Sequence, residues 1–220
     1  MDQPGASLRD ERHRRRPKDS PTTRILFVCT GNICRSAFAE ACLKGMVADS
    51  HHVEVSSAGI AAVVGSGMDP LMAQEAESRG IDSREHCARQ LTGRMLKSAD
   101  MVLVFGPEHV AWIAAECPEL LDRVVALGQA AAVRQAQPRL AALEPTRLVA
   151  DVRRLRAQPQ PEDWIGDPYG QGARAASIAA ERIEHDITVL MKSTGLARTG
   201  EKNSVDLNGM MPTSTREGRE

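Results

Sequence analysis

Arg24-Ile25-Leu26-Phe27-Val28-Cys29-Thr30-Gly31-Asn32-Ile33-Cys34-Arg35-Ser36 passes from an unbroken apolar run through a Gly-Asn turn into a helical pattern. The run reads as a buried strand, because consecutive apolar residues leave neither face for water. A chain that turns from a strand end into a helix start points successive N–H groups into one small concavity, which favours an anion. Arg35 can grip two oxygens of that anion with its planar fork. Cys29 stands at the mouth of the loop, so the field that binds the anion also favours a thiolate. Activated cysteines titrate at about 3.5 to 7.5 rather than about 8.5. A buried structural cysteine near a surface arginine would need neither the Gly-Asn turn nor this spacing.

Downstream, short buried runs alternate with helical stretches, the pattern of an α/β domain with a parallel sheet. It predicts strands at 24–28, 52–56, 101–105 and 124–127. A helix over 37–49 carries Phe38, Ala41, Cys42 and Met46 at spacings of three and four. Asp69-Pro70 reads as a helix cap and first-turn proline, with Gly80 ending that helix. Another helix holds Trp112 and Ile113; Trp112 and Trp164 read as packing anchors. The last helix, 173–194, has Ile178, Ile183, Ile187 and Leu190 as core positions and Gly195 as its cap. Right-handed crossovers bring the C-terminal ends of all strands to one edge, where ligands collect and where the Cys29 loop lies.

With 28 Lys and Arg against 29 Asp and Glu, the net charge of -1 makes no electrostatic case for nucleic acid. Residues 1–23, with the cluster Arg12, Arg14, Arg15 and Arg16, read as a disordered leader, and 195–220 as a disordered tail. The stretch 24–194 reads as one domain. No apolar run approaches the about 18 residues of a membrane span, and the N-terminus lacks the apolar region of a secretory signal. A cytoplasmic protein without stable membrane association is expected. Five cysteines, Cys29, Cys34, Cys42, Cys87 and Cys117, form an odd set that reads as reduced thiols. No Cys-x-x-Cys pair exists and His51, His52, His86 and His109 read as surface or core residues, so neither metal nor cofactor is expected.

The stretch 128–163 is broken by Pro138, Pro145, Pro159 and Pro161, while Leu148, Val152 and Leu155 recur at helical spacing. Part of it reads as an amphipathic helix, which packs on the sheet edge, reaches over the cleft or docks a partner. The stretch leads into Ile165-Gly166-Asp167-Pro168-Tyr169-Gly170. Phosphoryl transfer to a thiolate needs a proton donor for the departing oxygen, on the far side of the phosphorus. Asp167 can serve, on a loop stiffened by proline and flanked by glycines. Taken alone, such an Asp-Pro pair is more often a simple turn, as Asp69-Pro70 is a cap.

The Cys29 loop together with Asp167-Pro168-Tyr169 resembles the low-molecular-weight protein tyrosine phosphatases. The resemblance covers 24–194 and includes Ser56-Ser57-Ala58-Gly59, Met68-Asp69-Pro70 and Ala88-Arg89-Gln90-Leu91. It implies a three-layer α/β sandwich with a four-stranded parallel sheet, order 2-1-3-4, flanked by helices, with a helical insertion before the acid loop. It implies Cys29 as nucleophile, Arg35 as the phosphate-binding group, and Asp167 as general acid and then base. Ser36 would hydrogen-bond the thiolate, Asn32 would prop the loop, and Thr30, Gly31, Ile33, Cys34 and Tyr169 would complete the substrate site. The implied substrate is a phosphotyrosine protein, such as a bacterial tyrosine kinase, dephosphorylated through a phosphocysteine with a bell-shaped, mildly acidic pH profile. In the family, Cys34 pairs with Cys29 under oxidation; a small buried residue beside the loop is the alternative.

The chain departs from the family at Ala37, where a proline is usual, and at Ile60-Ala61-Ala62-Val63-Val64, where an aromatic usually walls the cleft. Gly170 stands where some members have a second aromatic, which leaves Tyr169 as the evident aromatic wall. Arginine phosphatases of this family favour threonine where Ile33 stands, so phosphoarginine is the second substrate reading. Arsenate reductase comes third: its relay needs two further cysteines, and although Cys117 resembles one, Phe105 occupies the other position.

Overall fold

The computed structural model describes residues 22–48, 50, 52–137 and 145–192. Residues 1–21 of the leader, the tail, Pro138 and the Gly195 cap lie outside the described residues, while Thr23, read as the end of the leader, already pairs with Val53 in the sheet. Four parallel strands, β1 (Thr23–Cys29), β2 (Val53–Gly59), β3 (Met101–Val104) and β4 (Val124–Ala126), form one sheet of order β2-β1-β3-β4. Successive strand side chains point to opposite faces, and residue parity accordingly divides the core in two. Ile25, Phe27, Met101, Leu103 and Val125 pack in one cluster with residues of α1 (Arg35–Met46), α2 (Pro70–Ser78), α5 (Leu127–Ala136), α6 (Pro145–Leu155) and α7 (Ala173–Lys192). Leu26, Val28, Val102, Val104 and Val124 pack in the other with Leu96 of α3 (Gly93–Ser98) and Ile113 of α4 (Pro107–Glu116). The result is the expected three-layer α/β sandwich with sheet order 2-1-3-4.

Several details differ from the sequence expectation. β2 continues to Gly59 because Ala58 and Gly59 pair with Val28 and Cys29, so the sheet holds the nucleophile position itself. α1 is buried from Arg35 to Leu43, not along one stripe, because it lies between β1, β2, α2 and α7. α3 is too short to show periodicity; Thr92 caps it by accepting from the Met95 N–H at 3.3 Å. The first part of the 128–163 stretch belongs to α5, which starts directly at the end of β4.

α6 packs on α5 and at the β4 edge, burying Leu148, Val149 and Val152, and it does not line the cleft. Leu155, its last residue, is exposed, against expectation. So is Ile178 at 59%. Five residues separate it from the buried Ile183, about 140° of turn at 3.6 residues per turn, so the two point to different sides of α7.

Candidate active site

Between the end of β1 at Cys29 and the start of α1 at Arg35, the chain closes a loop at the C-terminal edge of the sheet. The carbonyls of Cys29 to Ile33 are all engaged from outside, and that of Cys34 accepts the Phe38 N–H of α1. Ile60, Ala61, Val63 and Asp69 donate their N–H groups to the carbonyls of Cys29, Thr30, Gly31 and Ile33 at 2.8 to 3.0 Å. His86 Nε2 donates to that of Asn32 at 2.7 Å. With these carbonyls turned outward, the N–H groups of Gly31 to Arg35 are left facing the other way, and none has an acceptor among the described residues. β2 can come this close only because residue 59 is glycine: a Cβ there would lie 2.9 Å from Asn32 N and 3.1 Å from Ala62 Cα.

Asn32 holds the turn at φ 54, the left-handed region, which asparagine tolerates better than most residues. Its buried side chain Nδ2 donates to Ser36 Oγ at 2.9 Å and Ser57 Oγ at 2.7 Å, and Oδ1 accepts the Arg89 N–H at 2.9 Å. An amide nitrogen can only donate, and this fixes the direction of the neighbouring bonds. Ser36 Oγ accepts from Asn32, so its own proton is free for Cys29 Sγ, 2.9 Å away. Ser57 in turn donates to Glu40, which is buried and also held by Lys44 at 2.7 Å. Burial alone would raise the Glu40 carboxyl, but hydrogen bonds with His86, Lys44 and Ser57 outweigh it and hold it at about 2. A buried carboxylate thus anchors a chain of directed hydrogen bonds that ends on the sulfur.

His109, fully buried on α4, makes a second support. The Gly106 N–H donates to its Nδ1 at 3.0 Å, so the ring proton sits on Nε2, facing Thr30 Oγ1 at 3.2 Å and Glu108 Oε1 at 3.2 Å. Burial lowers His109 to about 4, against an upward pull from Glu108 and with a further downward push from Arg35. It is therefore a neutral imidazole at pH 7. The sequence reading left His86 and His109 as surface or core residues; both in fact touch the loop. The one available signal was position: His109 follows a strand end on the loop's own edge of the sheet.

The Arg35 guanidinium is buried and reaches three groups from distant elements. NH1 donates to the Ile165 carbonyl at 3.1 Å and lies 3.7 Å from Glu108; NH2 lies 2.7 Å from Asp167 Oδ2. Nε has no hydrogen-bond partner, although a buried unpaired donor costs about 1–3 kcal/mol. α1 has no side-chain cap and no acidic residue in its first turn. Unpaired N–H groups, Arg35 Nε and a helix N-terminus together form a cradle suited to a phosphoryl group.

Above it opens a cleft of about 210 Å³ lined by Cys29, Thr30, Gly31, Cys34 and Arg35, with Ile33, Ala61, Val63, Asp167 and Tyr169. The structure thus brings Cys29, Arg35 and Asp167 together with Thr30, Gly31, Ile33, Cys34 and Tyr169, and sets Asn32 and Ser36 behind the loop. Tyr169 is 61% exposed at the rim, and Val63 shares the lining with it. Both Cys29 and Cys34 are free thiols. Burial, then the charges of Asp69 and Cys29, push Cys34 up to about 12, so it remains a protonated thiol at neutral pH. Among the described residues no group of three or more His, Cys, Asp or Glu side chains could hold a metal ion.

Comparison with known proteins places this site in a family. Low molecular weight protein-tyrosine-phosphatase Wzb of Salmonella typhi is 37% identical over 105 residues, covering 48% of this chain and 68% of that protein. Among solved structures, Vibrio vulnificus Wzb in complex with benzylphosphonate matches with a TM-score of 0.59 and 25% identity, over 77% of this chain and 97% of that one. The YwlE arginine phosphatase from Geobacillus stearothermophilus matches with a TM-score of 0.59 and 27% identity, over 76% and 90%. The family model for low molecular weight phosphotyrosine protein phosphatase matches residues 24–148, more than half of the sequence. With the fold, the loop and this match in agreement, the chain belongs to the low molecular weight phosphotyrosine protein phosphatase family.

Proposed function

We propose that this chain hydrolyses phosphotyrosine in protein substrates through a phosphocysteine intermediate, with 24–194 as the catalytic unit. One observation carries the reading: Cys29 Sγ, with Ser36 2.9 Å away, shares a cleft with Arg35 and with Asp167, 2.7 Å from the same guanidinium. In the first step the Cys29 thiolate attacks phosphorus, the S–P bond forms as the P–O bond to the ring breaks, and Asp167 gives its proton to the departing phenolate. The N–H groups of Gly31 to Arg35 and the Arg35 fork hold the equatorial oxygens, where charge builds up in the transition state. In the second step the Asp167 carboxylate takes a proton from water, whose oxygen attacks phosphorus. The S–P bond breaks, and thiolate and inorganic phosphate are released. The Ser36 proton stabilises the sulfur both as nucleophile and as leaving group.

Ile33, Val63 and Tyr169 give the cleft apolar walls that suit an aromatic ring. The likeness to Wzb in complex with benzylphosphonate points the same way. The likeness to YwlE supports phosphoarginine as the second reading, against which stands Ile33 in place of threonine. No described helix is long and apolar enough to cross a membrane. A cytoplasmic enzyme acting on a bacterial tyrosine kinase is the physiological setting that fits the Wzb relatives. A steady-state comparison of a phosphotyrosine peptide, phosphoarginine and arsenate with one preparation tests the substrate class. The expected result is kcat/KM at least about 100-fold higher for the phosphotyrosine peptide, within the range that pocket shape and polar contacts achieve, and no turnover by Cys29→Ser. Equal or better turnover of phosphoarginine would transfer the assignment to the second reading.

A further inference from the structure

The acid loop is fastened from behind at residues just before Asp167. The Asp163 carboxylate is 1% exposed and takes both arms of the Arg156 fork, Nε to Oδ2 at 2.8 Å and NH2 to Oδ1 at 2.9 Å, together with the Gln160 N–H at 2.7 Å. Arg156 is itself tied down: Gln129 Nε2 donates to its carbonyl at 2.5 Å, while Gln129 Oε1 accepts the Ala126 N–H at 3.2 Å, where β4 meets α5. The backbone of Asp163 lies against the first turn of α5 so closely that a Cβ on Gly128 would meet Asp163 O at 2.6 Å and Cα at 2.9 Å. Two residues on, the Ile165 N–H donates to Phe105 O at 2.9 Å and its carbonyl accepts from Arg35 at 3.1 Å. Beyond Ile165 such fastenings give way: Gly166 to Gly172 are exposed apart from Pro168, and Asp167 meets Arg35 and the Tyr169 N–H.

We propose that the Arg156–Asp163 ion pair is a positioning device that sets the place of the Asp167 carboxyl in the cleft. The assignment rests on Asp167 being the general acid. An ion pair with one buried partner, as Asp163 is here, is a poor source of stability, since two well-packed apolar side chains often do as well. What this pair supplies is geometry: it locks the register of the segment that carries the acid against α5. It also gives a role to the end of the 128–163 stretch, where Arg156 follows α6 directly. Arg156 and Asp163 are positioning residues, because neither reaches the cleft.

The test uses the leaving group, with full-length chain throughout. A poor leaving group, as in phenyl phosphate, needs the proton from the acid; a good one, as in 4-nitrophenyl phosphate, hardly does. kcat/KM is measured on both substrates for Arg156→Leu, Arg156→Lys and Asp163→Asn, each alone and combined with Asp167→Asn. The expected result for Arg156→Leu is a loss about 10-fold larger on phenyl phosphate than on 4-nitrophenyl phosphate, within the about 10²–10⁴ that positioned acid catalysis supplies. Arg156→Lys should recover part of it, and in the Asp167→Asn background the added loss should fall below about 2-fold, as residues acting through one group are non-additive. Equal losses on both substrates, or an undiminished loss without Asp167, would overturn the proposal. Asp163→Asn, which keeps the shape of the side chain, is read the same way if Arg156→Leu does not fold; failure of both to fold would show that the pair serves the fold and not the acid. If Asp167→Asn alone affects both substrates equally, the reading of Asp167 as general acid falls, and the positioning role with it.

Discussion

At the scale of single residues, the direction of hydrogen bonds matters more than their number. Asn32 is the pivot because both amide protons are committed, one to each serine, which leaves Ser36 only the sulfur and Ser57 only Glu40 as targets. Ser36→Ala removes one neutral donor from Cys29 and leaves the rest of the loop held by its carbonyls. A fall in kcat of about 10- to 100-fold is expected, at or below the about 10²–10³ for deleting an oxyanion-hole donor, together with a loss of about 1–3 kcal/mol of stability, because the buried Asn32 amide proton loses its acceptor. Unchanged kcat would mean that the Ser36 proton points elsewhere. That Cys29 and Arg35 share a cleft was legible in the sequence because both lie in one short pattern with a chemical reason for its spacing, whereas the Asp-Pro pair at Asp167 is weak alone and was placed there by the family resemblance. Glu40, Ser57, His86 and His109 were not, because they reach the loop from separate elements and no periodicity marks a buried polar contact made across the fold.

At the scale of elements, the loop is built by its neighbours as much as by its own residues. Asp69 shows how a single cap serves two purposes. Its Oδ1 accepts the N–H groups of Leu71 at 3.0 Å and Met72 at 3.4 Å to start α2, while its own N–H holds the Ile33 carbonyl at 2.8 Å. Asp69→Ala should cost about 1 kcal/mol of stability, a drop of about 2–4 °C in melting temperature for a protein of this size. Asp69→Asn, which keeps an accepting oxygen, should recover most of that. Thermal melts of the two variants decide it: equal drops would place the effect outside the cap. α2 was readable from Asp69-Pro70 because capping chemistry is local. α3 was not, since a six-residue helix spans fewer than two turns and shows no period. In α7 the apolar periodicity was read correctly at Ile183, Ile187 and Leu190, while Ile178 falls outside the buried side of a helix that packs on α1, α2 and α5.

At the scale of the whole molecule, two buried groups give the stability a definite dependence on pH. His109 is held at about 4 by burial, below the ordinary 6.5, so between these values the unfolded chain takes up a proton that the folded one refuses. Stability is therefore lost as pH falls from 6.5 toward 4, at up to about 1.4 kcal/mol per pH unit. Glu40, held at about 2 against 4.5, contributes stability that is present above 4.5 and lost as pH falls from there toward 2. Urea unfolding at pH 7, 5.5 and 4.5 should give successively lower midpoints, with His109→Gln flattening the upper part of the series; a constant midpoint across it would contradict the buried neutral imidazole. The layered architecture itself was legible because strand parity and the alternation of strands with helices recur along the chain, whereas the packing of α6 depended on which edge of the sheet was left open. The uncapped start of α1, with its unpaired N–H groups and Arg35 Nε, has a consequence for how this protein behaves in solution. An oxyanion that fills the cradle binds only the native state, and at about 100 times its dissociation constant it adds about 2.7 kcal/mol of stability by mass action. Inorganic phosphate, the product of the proposed hydrolysis, is expected to be such an anion, so that resistance to unfolding would rise and fall with the phosphate around the protein.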